Sequence, residues 1–429
     1  EMKKKVLSLL LVAAMGISML VGCGGGNDKP AGGDTQQQQG EQQAGPESIK
    51  LTVWAPENQQ KLLKAQAEEF AKANEDKWTI EWDFGIVGDD VCKQEVLKDV
   101  EAAADVFFFA NDQIKELVAA GAIAKLGGDA ETLVKEKMAE SVYTTVTVDG
   151  SIYAIPYTHN TFYMYYDKTL MTEEDLKSLD TIMAKDTPDG VYNFLFDGGG
   201  GWKLGAWYYG AGCSVYGIDG TNVAAGSDWN NETGLAVTEY LVKMHESDKL
   251  ALGLDITELI SNHQLGAWFG GDWELGLSED ADGFYDYLGE DLGYITIPTF
   301  GINGEQIQMK SFYGSKAVGV NAKSDCPAAA VAFATFINTG DQQAARFAQT
   351  GVIPTNSDAA ETDAVKSDAL ANVIMAEANN CAIMQPYSTE FSSDYWDPCT
   401  ALCDALKSGE LNKDNVKEYM DEWVKAFNK

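Results

Sequence analysis

Strand-like and helix-like patterns alternate over residues 49–120, and this alternation limits the available folds more than any other feature of the chain. Apolar and polar residues alternate at 49–53 and at 78–84, as in strands with one buried face. Val106–Phe109 is a continuous apolar run, which is typical of a strand buried on both faces. Helical periodicity separates and follows these strands, at residues 63–70, 91–104 and 113–120. The order predicts an α/β fold with a parallel sheet covered on both faces.

The rest of the chain uses both patterns in a less regular order. Further strands are predicted at residues 153–156, 161–166, 292–298 and 316–320. Further helices are predicted at residues 233–243 and 328–337, and the chain from about residue 367 is mostly helical in pattern. Trp78 and Trp82 lie on the apolar side of an alternating strand, so we assign both to the hydrophobic core.

Residues 1–22 have the features of an export signal. Three lysines precede a mostly apolar run, Val6–Val21, which is shorter than a membrane-spanning helix requires. The run ends at Leu20-Val21-Gly22-Cys23, which resembles the bacterial lipobox, where the cysteine is lipidated and becomes the mature N-terminus. Gly and Gln dominate the next stretch, so residues 23–48 are expected to form a lipidated, flexible tether. We therefore expect a protein anchored by Cys23 to the extracellular face of a bacterial cell membrane.

The net charge excludes one class of partner. The chain has 66 Asp and Glu against 31 Lys and Arg, a formal net charge of −35 at pH 7. A surface of this charge repels a phosphate backbone, so we expect no nucleic acid partner.

Signatures of cofactors and metals are missing from the sequence. No Gly-x-Gly-x-x-Gly unit follows the first strand, and Gly198–Gly201 lacks the Lys-Ser/Thr of a phosphate-binding loop. The three histidines are scattered, which gives a hydrolytic triad or a zinc site few candidates. We expect no cofactor and no bound metal.

Six cysteines besides Cys23 show no spacing typical of a disulfide framework. They are Cys92, Cys213, Cys326, Cys381, Cys399 and Cys403. We interpret them as buried free thiols.

Aromatic residues beside polar or glycine-rich turns point to a carbohydrate ligand. The chain has 10 Trp, 18 Tyr and 17 Phe, and Trp54, Trp202, Trp273 and Trp396 all adjoin such turns. Aromatic faces stack on the apolar C–H face of a sugar ring, and neighbouring Asp, Asn and Glu can fix its hydroxyls.

Four segments resemble the maltose- and maltodextrin-binding proteins, the extracellular receptors of bacterial sugar ABC importers. They are Leu51–Ala55 with Glu57-Asn58, Ala104–Leu126, Asp149–Leu170 and Gly293–Asn321. The most specific is Asp149–Leu170, which begins Asp-Gly-Ser-Ile-Tyr-Ala-Ile-Pro-Tyr and ends Tyr-Tyr-Asp-Lys-Thr-Leu. The order and spacing of the four segments extend the resemblance over about residues 49–429.

The resemblance implies an α/β, two-lobed periplasmic-binding-protein-like fold of the maltodextrin-binding type, with the ligand in the interlobe cleft. One lobe would comprise residues 49–158 plus about 316–360, and the other residues 159–315 plus about 361–429. Such a protein closes around its ligand by a hinge motion. The implied function is that of a non-enzymatic, monomeric receptor, which captures α-linked malto-oligosaccharides and passes them to the permease subunits of an ABC importer.

The resemblance also assigns ligand contacts, position by position. The polar candidates are Glu57, Asn58, Asn111, Asp112, His159 and Asn160, and the aromatic candidates are Phe109, Trp202, Trp273, Tyr395 and Trp396. Two pairs depart from the family pattern: Glu57-Asn58 stands where Asp-Lys is frequent, and His159-Asn160 stands where a hinge Glu is usual. Trp273 matches the family's Gly-Pro-Trp position, and we expect Trp273 and Trp396 to be the main stacking platforms.

Three alternatives stay open on the sequence alone. The same fold could bind a different oligosaccharide, such as a β-linked or galactose-containing one. A secreted glycosidase needs only two facing carboxylates, which spacing cannot exclude among 66 acids. A receptor for cations such as polyamines or metals is compatible with the negative charge, although the aromatic turns fit sugars better.

Overall fold

The structure is a computed structural model that describes residues 45–196, 199–276 and 282–428. Residues 1–44, which include the predicted signal, Cys23 and most of the tether, lie outside the described residues, as does Gly198 of the glycine run. Gly45–Lys429 forms one compact unit. Among the described helices, none has the combined length and apolar character needed to cross a membrane.

Fifteen strands occur in the described residues, eleven of them in two larger sheets and four in two-stranded sheets. They are β1 (Glu47–Ala55), β2 (Trp78–Ile86), β3 (Val106–Ala110), β4 (Thr147–Val148), β5 (Ser151–Ile152), β6 (Ala154–Asn160), β7 (Tyr163–Asp167), β8 (Tyr192–Leu195), β9 (Leu250–Ala251), β10 (Leu265–Gly270), β11 (Leu292–Ile295), β12 (Thr299–Ile302), β13 (Glu305–Gln308), β14 (Ser311–Val320) and β15 (Ala382–Met384). Because β1 begins at Glu47, the last two residues of the predicted tether belong to a strand.

Helices lie between the strands and dominate the end of the chain. They are α1 (Gln60–Ala73), α2 (Cys92–Lys98), α3 (Ile114–Ala119), α4 (Gly128–Lys137), α5 (Glu140–Tyr143), α6 (Leu179–Ala184), α7 (Gly205–Gly210), α8 (Glu232–His245), α9 (Ile256–Ser261), α10 (Phe284–Leu288), α11 (Pro327–Phe336), α12 (Gly340–Thr350), α13 (Ser357–Ala360), α14 (Asp363–Lys366), α15 (Ala369–Ala376), α16 (Thr389–Asp394), α17 (Trp396–Ser408) and α18 (Val416–Trp423). Short helical turns occur at Glu57–Gln59, Asn111–Gln113, Thr144–Val146, Asp175–Lys177, Gly199–Gly201, Val223–Ala225, Asp272–Glu274, Gly289–Asp291, Glu377–Cys381 and Val424–Phe427.

The first sheet contains the strands that the sequence predicts most clearly. Strands β2, β1 and β3 are adjacent and parallel, as predicted. Strand β14 pairs antiparallel with both β3 and β6, and β15 pairs with the start of β14. The expectation of a parallel sheet is therefore correct for β1–β3 and wrong for the sheet as a whole, because β14 and β15 join it in the opposite direction.

Aromatic packing joins the first sheet to its covering helices. Trp82 of β2 packs against Phe333 of α11, with 4.8 Å between ring centroids, and Phe70 of α1 lies 5.4 Å from the same ring. Trp78 stacks beside Phe70 at 6.1 Å. Both tryptophans pack against the core as predicted, although each is only partly buried.

The second sheet has the order β11-β7-β10-β8-β9 and is also mixed. Strand β7 shows the two-residue alternation of a sheet with two buried faces. Tyr163 and Tyr165 face one apolar core, whereas Met164 and Tyr166 face another.

One strand runs between the cores of the two sheets. On β14, Phe312 is buried in a core of the second sheet, whereas Ala317 and Val318 are buried in the core of the first. A second connection follows β6, which ends in the first sheet at Asn160, and only two residues separate it from the start of β7 in the second sheet.

Two further predictions can be compared with the described residues. The helix predicted over residues 91–104 is wrong in length, since α2 ends at Lys98. Asp99 follows the last helical residue, and its carboxylate accepts hydrogen bonds from the backbone N–H groups of Glu101 and Ala102. These bonds replace the helical hydrogen bonds that would continue α2. The prediction of buried thiols outside any disulfide is confirmed for five of the six cysteines, and Cys326 is partly exposed.

Glu377 is a buried acid near the start of β14. Its carboxylate accepts hydrogen bonds from the backbone N–H of Ile297 at 2.9 Å and from the hydroxyl of Ser311 at 2.6 Å. Burial raises the pKa of Glu377 to about 7, although these two hydrogen bonds and Lys310 act in the opposite direction.

The raised pKa of Glu377 predicts a pH-dependent stability. The neutral acid is favoured in the folded chain, so its stabilising contribution is complete below about pH 4.5 and is lost as the pH rises through about 7. Glu377→Gln mimics the neutral acid, because its amide can accept from Ile297 and donate to the Ser311 oxygen. We expect the variant to match the wild type in urea unfolding at pH 5 and to exceed it at pH 8. An exposed substitution, Glu361→Gln, is the control. Equal stabilities of wild type and Glu377→Gln at both pH values would contradict the prediction.

Candidate functional site

Two adjoining cavities lie where segments following the two sheets meet. Cavity A has a volume of about 280 Å³ and cavity B about 420 Å³. They share a wall formed by Asp89, Asp90, Trp273 and Lys316. Together we call them the cleft.

The carboxyl ends of parallel strands supply much of the first wall. Asn58 and Gln59 follow β1, Asp89 and Asp90 follow β2, and Asp112 follows β3. Because parallel strands end at the same edge of a sheet, polar residues far apart in sequence come together there. This edge offers amides and carboxylates to a ligand.

Trp273 dominates the opposite wall, and its position is set by the turn that follows β10. The Gly271 carbonyl accepts a hydrogen bond from the Tyr165 hydroxyl at 2.8 Å, and the Gly271 N–H donates to the Glu274 carboxylate at 2.8 Å. The Trp273 ring lies against the Cα of Gly271, where an added Cβ would come within 2.1 Å of the indole. A glycine is therefore needed at this position for the ring to lie as it does.

Lys316 extends from β14 between the two walls. Its ammonium lies 3.0 Å from the Asp89 carboxylate and 4.4 Å from the centroid of the Trp273 ring. The cation thus connects the first wall to the aromatic residue of the second.

Two further tryptophans line cavity B. Trp202 packs against Trp273 with 5.7 Å between ring centroids, and its indole N–H donates to the Gln385 side chain at 3.0 Å. Trp396 lines the same cavity from the first turn of α17. Cavity B is therefore bordered by three indole rings.

Tyr157 lines cavity A and is supported by the arginine behind it. The guanidinium of Arg346 is fully buried, with its carbon 3.7 Å from the centroid of the Tyr157 ring. It also donates a hydrogen bond to the Tyr157 carbonyl. This contact fixes the phenol ring at the wall of the cavity.

Burial makes two of the cleft carboxyls less acidic. Desolvation raises the pKa of Asp112 to about 6, partly offset by Lys93. Desolvation also raises the pKa of Asp272, against the opposing charges of Lys316 and Arg346. One Asp272 carboxylate oxygen is buried and has no hydrogen-bond partner within the described residues. Both groups are placed to accept hydrogen bonds from a ligand.

The structure brings six of the eleven predicted site residues into the cleft. They are Asn58, Asp112, Asn160, Trp202, Trp273 and Trp396. Five others line neither cavity: Glu57, Phe109, Asn111, His159 and Tyr395.

Two of these five are core aromatics. Phe109 is fully buried in the core of the first sheet, beside Phe107, and its neighbour Phe108 lines cavity A instead. Successive side chains of a strand face opposite ways, so a one-residue difference moves the ring from cavity to core. Tyr395 is fully buried against Phe391, with 4.4 Å between ring centroids. Neither ring therefore faces the cleft in this structure.

The other three are polar residues that face elsewhere. Glu57 is exposed to solvent, and Asn111 is buried with its side-chain oxygen accepting from the backbone N–H of Ser315 at 2.9 Å. His159 borders a different cavity and hydrogen-bonds the Tyr313 hydroxyl at 2.7 Å. Burial lowers the pKa of His159 to about 4, so the imidazole is neutral at pH 7.

Several residues that line the cleft are not among the site residues predicted from the sequence. They are Gln59, Asp89, Asp90, Phe108, Tyr157, Asp272 and Lys316. A signal existed for Asp89 and Asp90, since Gly88-Asp89-Asp90 follows a clear strand. The sequence contains no such signal for Lys316, because its position beside β3 depends on long-range strand pairing.

The described ranges contain no group of three or more His, Cys, Asp and Glu residues arranged to hold a metal ion.

Comparison with known proteins identifies the family. The model of the family described as bacterial extracellular solute-binding protein matches residues 65–372. No match is found among the curated proteins.

Solved structures share the fold over most of the chain. One described as "with acarbose" is 36% identical, has a TM-score of 0.81, and the match covers 89% of this chain and 99% of the other. The maltodextrin-binding protein MalE1 from L. casei BL23, without ligand, is 24% identical, with a TM-score of 0.77 and the same coverages. The GacH receptor of Streptomyces glaucescens GLA.O is 18% identical, with a TM-score of 0.72, over 88% of this chain and 99% of that one.

These matches confirm the predicted two-lobed α/β fold of the maltodextrin-binding type. The family match extends over more than half of the chain, and the structure with acarbose is 36% identical over 89% of it, so both findings support the same family assignment. The chain belongs to the bacterial extracellular solute-binding protein family.

Proposed function

We propose that this protein is a receptor that binds α-linked malto-oligosaccharides in the cleft and delivers them to the permease subunits of an ABC importer. The observation that carries the proposal is the cluster of Trp202, Trp273 and Trp396 around cavity B, opposite a wall of carboxylates and amides. Indole rings stack on sugar rings, and the acids accept from hydroxyl groups.

The relatives support the same ligand class. The relative at 36% identity is a structure with acarbose, and others at lower identity are named as maltose- or maltodextrin-binding proteins. Ionised carboxylates accept hydrogen bonds and cannot donate them, which suits a neutral ligand rich in hydroxyl donors. This favours an oligosaccharide over an anionic ligand.

The lobes and their closure form part of the proposal. We place one lobe at residues 49–158 plus about 316–360 and the other at 159–315 plus about 361–429. Ligand contacts from both walls would favour a closed arrangement that the permease reads. We further propose that the protein acts as a monomer and leaves the ligand chemically intact.

Loss of the Trp273 ring is expected to weaken binding. Trp273→Ala removes a stacking face, and a loss of about 1.4 kcal/mol corresponds to a tenfold rise in Kd. We expect calorimetry to show a Kd for maltotriose on the order of micromolar for the wild type, and at least tenfold higher for the variant. Chromatography of the same samples should return maltotriose unchanged.

A matched variant separates this effect from loss of folding. Tyr419 is a half-buried aromatic of α18 that lines neither cavity, and Tyr419→Ala should leave the affinity unchanged. No binding heat with any maltodextrin would refute the ligand assignment, and a wider glycan panel would then identify the sugar.

The position of the Trp273 ring should matter as well as its presence. Gly271→Ala places a methyl group where the indole lies, so the ring must move. We expect a Kd for maltotriose about fivefold or more above the wild-type value, by calorimetry. Gly127→Ala is the control, because a Cβ there meets no atom within 4 Å and its φ is −149°. Equal affinities for both variants would show that the ring position is not important.

Anchoring through Cys23 can be tested in cells. The residue lies outside the described residues, and the proposal rests on the lipobox resemblance at Leu20–Cys23. We expect labelled palmitate to enter the wild-type protein and to be absent from Cys23→Ser, which should appear in the medium. Labelling of both proteins would contradict attachment at Cys23.

A further inference from the structure

The shared wall between cavities A and B is a salt bridge that contacts an aromatic ring. Lys316, Asp89 and Trp273 border both cavities, and the lysine ammonium touches the other two groups. The side chains of Lys316 and Asp89 are each 18% exposed. Lys316 therefore lies at the boundary that the two cavities share.

The two halves differ in what they offer. Cavity B is bordered by three indole rings, and at about 420 Å³ it lies in the range of small-molecule sites. Cavity A, at about 280 Å³, is lined by Tyr157, Asn58 and the acids. A ligand that extends from cavity B into cavity A passes Lys316, Asp89 and Trp273, which line both.

Crossing the wall requires Lys316 to move. A cation over an indole and beside a carboxylate is held by both contacts, and a sugar that continues along Trp273 needs the same ring face. The lysine side chain is a flexible chain of four methylene groups, so the ammonium can turn towards solvent while the strand stays in place. Its departure also frees the Asp89 carboxylate to accept from sugar hydroxyls.

We propose that Lys316 determines the ligand length that the receptor prefers, by closing the passage between the two cavities until a longer ligand displaces it. This inference rests on the proposed function. The apparent affinity for long ligands falls as the fraction of molecules with Lys316 over the Trp273 ring rises, because only the remaining molecules can bind them. The affinity for short ligands that leave Lys316 in place carries no such reduction.

The test compares maltose with maltotetraose by calorimetry. Lys316→Ala is expected to lower the Kd for maltotetraose about fivefold relative to the Kd for maltose. Salt weakens the Lys316–Asp89 pair, so raising NaCl from about 0.02 to 0.5 M should lower the wild-type Kd for maltotetraose about twofold. Lys316→Ala should show no such salt effect.

Three further variants complete the design. Lys316→Arg keeps a cation at the wall and should behave like the wild type. Lys316→Met keeps the stem without the charge, and it should lose the salt effect even if the alanine variant folds poorly. Lys185→Ala removes a comparable ion pair to Asp175, with side chains 24% and 25% exposed outside the cleft, and should change neither affinity.

The outcomes distinguish this inference from the proposed function. A higher Kd for maltotetraose in Lys316→Ala would show that the lysine contacts the sugar directly, which overturns the inference and leaves the receptor function intact. Equal tightening for both sugars would overturn the role in length selection. Absence of wild-type binding to both sugars would overturn both proposals.

Discussion

The pairing of β14 with β3 and β6 is the constraint on which the site depends. The strand is antiparallel to both neighbours over residues 316–319, and its start belongs to the core of the second sheet. The register therefore fixes the position of the Lys316 side chain in the first sheet. It also fixes the position of the start of β14, which packs in a core of the second sheet. The register shift between Lys316 and Ala317 lies at the same point. Irregular strand pairing is frequent next to functional sites, because it changes the direction of a side chain.

The aromatic wall is positioned by hydrogen bonds that reach into the second sheet. The hydroxyls of Tyr163 and Tyr165 lie 2.6 Å apart, and Tyr165 donates to the Gly271 carbonyl. Burial raises the pKa of both phenols well above 10, so both stay protonated. The Gly271 carbonyl in the turn that carries Trp273 is thus held by a neutral, buried phenol. A ligand that stacks on Trp273 meets a ring whose position is fixed before binding, which reduces the entropy lost on binding.

The sequence predicted those parts of the molecule that depend on local pattern. Strands β1–β3 followed from alternation and from the buried run, and Trp273 followed from a motif in a turn. The errors arose where a one-residue offset or a distant partner decides the outcome. Phe108 and Phe109 have the same chemistry, and only the register of β3 tells which ring lines the cavity. Lys316 faces Asp89 across more than 200 residues of chain, and no local pattern records that contact.

The acidity of the cleft makes the position of Lys316 costly to change. Asp89, Asp90 and Asp272 lie around one space, and like charges brought together out of water repel unless a cation is near. Lys316 is that cation for Asp89, and its charge opposes the rise in the pKa of Asp272. When a ligand displaces it, the sugar hydroxyls must take over as donors to the same carboxylates. A chain of hydroxyls that spans both cavities can do so, whereas a short ligand confined to cavity B leaves the lysine in place. The group that stabilises the empty cleft is therefore the one that discriminates between its ligands.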